Sequence, residues 1–153
     1  MSPMMERCES SVGIRLLNVD HREMEALIDQ LQGAITAGSD KDRTIRLLRK
    51  LSDFTRTHFA LEEGMMSANE YPDMAAHRGC HQQLLLQLDG FISLYLKGRL
   101  TLSQESLSFL FVWHAAHSQN NDAHYADWLV MRDAGFCQNQ PQALPRAGRE
   151  SCA

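Results

Sequence analysis

Apolar residues that step by three and four through four long segments are the feature that most restricts what this chain can become. Leu17, Met24, Ile28, Leu31 and Ile35 mark the first segment, and Leu47, Leu51, Phe54 and Met65 the second. Met74, Leu84, Leu88 and Tyr95 mark the third, and Leu107, Leu110 and Trp128 the fourth. That period belongs to helices with one buried face, because inward positions on a strand would alternate. Turn signals separate the segments at Gly38-Ser39-Asp40, at Ser67-Ala68-Asn69-Glu70-Tyr71-Pro72-Asp73 and at Lys97-Gly98-Arg99. Asp40 and Asp73 are placed to cap the second and third helices, and Thr101 with Gln104 reads as a capping box for the fourth. Four amphipathic helices on short connections predict an all-α, antiparallel up-down-up-down four-helix bundle.

A chain of 153 residues suffices for one such domain and is short for two. Residues 1–134 are expected to form it. Residues 135–153 carry Pro, Gly and polar residues without periodicity and are expected to form a flexible tail. Lys and Arg number 15 against 19 Asp and Glu, a balance that argues against nucleic acid or an anionic membrane surface as a partner. The N-terminus lacks an apolar signal-like run and no later stretch approaches a membrane span, so the expected location is the cytoplasm. Cys8, Cys80, Cys137 and Cys152 show no C-x-x-C pairing and are read as reduced thiols with no shared task.

Polar residues fill the gaps in the apolar stripes. His21 falls between Leu17 and Met24, His58 and Glu62 between Phe54 and Met65, and His77 and His81 between Met74 and Leu84, while His114 and His117 follow Leu110. Each helix thus points at least one imidazole inward, near one level of the bundle. A single buried histidine is ordinary when it has a hydrogen-bond partner. Five or six with two inward carboxylates would leave many buried polar groups to satisfy, at roughly 1–3 kcal/mol for each left unpaired. A metal resolves this, because it takes imidazole nitrogen and carboxylate oxygen directly. His58 with Glu62, and His77 with His81, stand four apart on single helix faces. A nitrogen-rich set with hard oxygens and no thiolate suits iron or manganese at least as well as zinc, and seven donors exceed the needs of one zinc. Two ions bridged by carboxylates fit the set better.

The pattern resembles that of the hemerythrins, specifically a single-domain bacterial hemerythrin. That family carries one histidine on the first helix, H-x-x-x-E on the second, H-x-x-x-H on the third and H-x-x-x-x-D on the fourth. This sequence supplies His21, His58 with Glu62, His77 with His81, and His117 with Asp122. The likeness takes in VGI, HFALEEGMM and YPDMAAH, with Trp113 four before His117 and Tyr125 three after Asp122, and runs from about Val12 to Leu129. It implies a non-haem di-iron centre whose two irons share Glu62, Asp122 and a solvent-derived oxygen bridge. His77, His81 and His117 would fill one iron; His21 and His58 would hold the other, leaving a position open to dioxygen. The function implied is reversible dioxygen binding for storage, delivery or sensing, in a binding protein rather than an enzyme. A di-iron oxidase or peroxidase-like enzyme is the alternative, as is a redox or oxygen sensor acting through a separate protein partner. One departure concerns the residue before His21: the family usually has glutamine there, and here it is Asp20. A charge at that place is expected to alter the orientation or basicity of the His21 imidazole.

His114 stands where the family usually has a leucine that walls the dioxygen pocket. At about 100° per residue, with His114 at zero, His117 lies near −60° and Asp122 near +80°. His114 therefore faces inward if they do. It is read as a hydrogen-bond donor to bound oxygen, beside Trp113, with an iron-bound imidazole and a histidine bonded to a backbone carbonyl as the competing assignments. His124 is left as a boundary residue, and Glu63 and Asp127 as charges that are solvated or stand behind the metal-binding side chains.

Overall fold

The computed structural model of the chain describes residues 3–135, with side chains from 17 to 132. The remainder of the expected tail, with Cys137 and Cys152, lies outside the described residues. Helices α1 (Pro3–Thr36), α2 (Lys41–Ala68) and α3 (Met74–Leu96) are followed by a fourth rod made of α4 (Gln104–Ala116), a π-helical turn (His117–Asp122) and α5 (Ala123–Gly135). Helix α1 packs against α2 and against both α-helical parts of the rod, and α2 packs against α3. The expected four-helix bundle is what forms. No helix among the described residues is long and apolar enough to cross a membrane.

The helix ends follow local chemistry. Asp40 caps α2 by accepting a hydrogen bond from the Arg43 backbone N–H at 2.7 Å. Asp73 sits at the start of α3 but makes no side-chain cap bond. The capping box of α4 is formed by Ser103 and Ser106, two residues beyond the Thr101–Gln104 pair expected from sequence. Both pairs have the required spacing, and the serine hydroxyl at Ser103 meets the first free N–H groups. Gly38 and Gly98 close α1 and α3 at φ of 64° and 69°, a left-handed conformation that lets the next residue's N–H reach back to Ala34 and Leu94 respectively.

The interior divides along the bundle. One apolar cluster gathers Ile28 and Leu31 of α1, Leu48 and Leu51 of α2, Leu84 and Leu88 of α3, and Leu107 and Leu110 of α4. A smaller one gathers Leu17, Met66, Tyr71, Tyr125 and Leu129. On α2 the fully buried line runs one residue on from expectation: Leu48 and Met66 are buried, while Leu47 and Met65 are partly so. Cutting any of these buried leucines to alanine costs about 2–5 kcal/mol. Between the two clusters every rod contributes polar residues, and that layer is the site. Cys80, on α3 within it, is disulfide-bonded, which corrects the expectation of unlinked thiols. A disulfide between distant segments carries no spacing signature in a sequence.

Candidate metal centre

Each rod delivers its share by its own periodicity. His58 and Glu62, four apart on α2, and His77 and His81, four apart on α3, stack on the inner faces of their helices. His117 and Asp122 are five apart, a spacing an α-helix would splay widely. Here they bound the π-helical turn, in which the backbone closes on residue i+5, so the two side chains return to one face. His117 Nε2 lies 3.0 Å from Asp122 Oδ1. His21 of α1 completes the ring, with Nε2 2.8 Å from Asp122 Oδ2. All seven residues singled out in the sequence come together.

The two carboxylates divide their oxygens. Glu62, fully buried, turns Oε1 toward His58 at 3.0 Å and His21 at 3.8 Å, and Oε2 toward His81 at 2.9 Å and His77 at 3.5 Å. Asp122 turns Oδ2 toward His21 and Oδ1 toward His117 and, at 3.2 Å, His77. Two overlapping donor groups result, each with its ligand atoms within 4.8 Å of one another: Glu62, His77, His81, His117 and Asp122 in one, and His21, His58, Glu62 and Asp122 in the other. The first offers five donors and the second four, and the carboxylates belong to both.

The polar atoms themselves call for a cation. Nε2 of His21, His58 and His77 and both oxygens of Glu62 and of Asp122 are buried without a hydrogen-bond partner, although they face one another at close range. Leaving so many such atoms unpaired is unfavourable unless positive charge lies among them. Two carboxylates behind the ring fix which nitrogens point in. Nδ1–H of His58 donates to Asp20 Oδ2 and Nδ1–H of His81 to Glu63 Oε1, each at 3.0 Å, so each Nε2 presents its lone pair to the cluster. Protons answer part of the demand in the metal-free chain. Burial pushes His21 and His117 down, but the carboxylates of Asp122 and Glu62 close beside them outweigh it and raise both to about 9. His58 and His77 are raised by the same balance, His58 mainly through Glu62 and His77 mainly through Asp122. Burial works against ionisation of Glu62 and Asp122 as well, yet the imidazoles ranged against them hold both below the usual carboxylate range. A site that gathers protons this strongly has the charge and the donor chemistry for metal ions.

A cavity of about 10 Å³, measured as room for the centre of a water-sized sphere, adjoins the four-donor group. That is the scale of one very small molecule. Its walls include His21, His58, Met24, Phe59, Trp113, His114 and Ser118, together with Asp122, which both groups share, and His117 of the five-donor group. His114 is buried as expected, with its ring centroid 5.7 Å from that of His21. Its Nε2 stands 3.5 Å from Glu25 Oε1, at the limit of contact, and makes no hydrogen bond. Trp113 Nε1 and Ser118 Oγ are likewise buried and unpartnered. Burial, reinforced by the charge of His21, lowers the His114 imidazole below its ordinary value. Phe59 stacks on His81 with centroids 3.8 Å apart and separates that imidazole from the cavity side.

Two features went unread in the sequence, and a third was read in part. Asp20 serves His58 across the helix interface rather than its neighbour His21, so the expectation for that residue was placed on the wrong imidazole. Ser118 on the cavity wall gave no signal. Glu63, read as a solvated or supporting charge, is the hydrogen-bond partner of His81.

Comparison with known proteins agrees with this geometry. The family model described as "Hemerythrin HHE cation binding domain" matches residues 12–129. A bacteriohemerythrin of Stenotrophomonas maltophilia is 25% identical over 127 residues, 83% of this chain and 82% of that one. A bacteriohemerythrin of Pseudomonas aeruginosa is 24% identical over the same shares of both chains. Myohemerythrin-1 of Phascolopsis gouldii is 31% identical over 78 residues, 51% of this chain and 60% of that one. No solved structure matches.

Proposed function

The chain belongs to the hemerythrin family, and we propose that it binds dioxygen reversibly at a non-haem di-iron centre, for oxygen storage, delivery or sensing. His77, His81 and His117 would hold one iron and His21 and His58 the other, and Glu62 and Asp122 would offer oxygen to both. When bound, the iron pair supplies the two electrons and the vacant position that reversible capture of dioxygen needs. The observation that carries the reading is the asymmetry of the donors: five against four, with the small cavity beside both imidazoles of the four and, of the three imidazoles of the five, His117. On the five-donor side the protein offers one donor more, and Phe59 covers His81. On the four-donor side Met24, Phe59 and Trp113 keep the cavity narrow, and its size excludes bulk water and larger ligands.

The test is anaerobic reduction of the iron-loaded protein followed by an optical oxygen titration. A spectrum that appears with oxygen and disappears on deoxygenation over repeated cycles supports the reading. Absence of about two irons per chain, the number a bridged carboxylate centre holds, sinks it.

A second reading, an oxidase or peroxidase-like enzyme, draws on Trp113 Nε1, His114 Nε2 and Ser118 Oγ, three buried polar atoms with no partner at the cavity. Polar groups beside a reduced oxygen ligand assist its departure as hydrogen peroxide and so shorten the oxygenated state. His114→Leu is then expected to slow autoxidation. An unchanged or faster rate refutes this second reading and leaves the first in place.

A further inference from the structure

Two of the cluster's imidazoles have a carboxylate behind them, one in each half of the site. His58 of the four-donor half donates Nδ1–H to Asp20, and His81 of the five-donor half donates Nδ1–H to Glu63. The distances are equal at 3.0 Å, and the two carboxylate side chains are similarly screened by solvent, at 24% and 22% exposure. Their own surroundings differ. Glu63 turns its second oxygen to Arg78, 3.3 Å from Nε, so part of its charge is answered by the guanidinium. Among the described residues Asp20 has no Lys or Arg at ion-pair distance, and His58 is its one salt-bridge partner. Nor does any other imidazole of the cluster have a carboxylate at Nδ1 among the described residues.

From this we propose that Asp20 is a positioning residue that makes the four-donor half of the centre the more electron-rich, a role that rests on the iron-binding reading above. A carboxylate that accepts from Nδ1–H fixes the ring and raises the basicity of Nε2. A more basic nitrogen favours the more highly charged cation. Asp20 therefore biases the iron beside the cavity toward the ferric state, while Arg78 weakens the same influence of Glu63 on the other iron. The residue reaches this position from α1 across to α2, so it also ties the two helices together at the level of the site.

Potentiometric titration of the full-length, iron-loaded protein tests the proposal. Asp20→Asn keeps an oxygen that accepts from Nδ1–H and removes the charge. It is expected to retain both irons and raise a midpoint potential by the equivalent of about tenfold in the ferrous-to-ferric ratio, or ~59 mV for one electron. Glu63→Gln is expected to shift a midpoint less. Arg78→Gln, which leaves Glu63 with its full charge, is expected to lower one. Asp20→Asn at the wild-type potential, or a larger shift from Glu63→Gln, overturns the proposal. Should Asp20→Asn fail to fold, Arg78→Gln decides, since its side chain is exposed, and an unchanged potential there overturns the proposal too. Wild-type protein that holds no iron overturns the iron reading itself, a result distinguishable from the others before any variant is made.

Discussion

The two halves of the centre are built from the same materials and differ in completeness. On the five-donor side three imidazoles with side-chain exposures of 1–6% converge on one oxygen from each bridging carboxylate. His81 is held there from both ends, by Phe59 on its face and Glu63 at Nδ1. On the four-donor side there are two imidazoles. His21 is 17% exposed, and the cavity occupies the neighbouring space. The lesson is that the protein offers one donor fewer on one side than on the other, and that the cavity borders both imidazoles of the side with fewer.

The largest expected effect removes what the halves share. Glu62→Ala deletes one oxygen from each and is expected to weaken iron binding by more than about 100-fold, beyond the 10–100-fold typical of outer partners. Metal analysis after desalting checks this. Retention of one firmly held iron would show that the five-donor half stands without the bridge. Next, His58→Ala takes a donor from the incomplete half alone. It is expected to leave about one iron per chain and no optical response to oxygen, whereas an equal loss from both halves would erase the distinction between them.

Acidity treats the halves alike, because His21 on one side and His117 on the other are both raised from 6.5 to about 9 in the metal-free chain. A folded value above the unfolded one contributes stability that is whole below pH 6.5 and lost as pH rises through about 9. With chelator present, the melting temperature is expected to fall by at least about 5 °C over that interval, each kcal/mol being worth roughly 2–4 °C at this length. The iron-loaded protein should show the reverse trend, because metal must displace those protons. His21→Gln and His117→Gln should each remove part of the chelated protein's fall.

The smallest effect is expected from His114→Leu. It exchanges an unpartnered imidazole for a side chain that needs no partner, so stability should move by no more than about 1 kcal/mol. Iron content should not move at all. Loss of iron in this variant would make His114 a ligand, and the four-donor half would then be closed rather than open.

Much of this was legible because α-helical spacing is a reliable ruler. His58 with Glu62 and His77 with His81 could be placed on inner faces from their four-residue separation, and the apolar stripes fixed the bundle around them. The same ruler misplaced the pair on the fourth rod: about 100° per residue sets His117 and Asp122 widely apart, and the structure brings them to 3.0 Å. Nothing in the composition of HSQNND announces a π turn. Asp20 was misassigned for a related reason, since sequence adjacency to His21 is visible and proximity to His58 on another helix is not. Cys80 and the Ser103 cap likewise depend on which of several chemically suitable groups the folded backbone brings near.

The π turn also sets the phase of everything after it. Leu107, Leu110 and Trp113 before the turn and Tyr125 and Leu129 after it all face the interior, although the step across the turn is one residue longer than an α-helix allows. Winding the same residues as an unbroken α-helix would close the wide turn. It would also rotate Asp122, Tyr125 and Leu129 together by about 100°, moving a bridging oxygen and the second apolar cluster out of place at once. The wide turn thus absorbs the extra residue and keeps the register, and with these residues the fourth rod cannot become a more ideal helix without turning Asp122 away from His117.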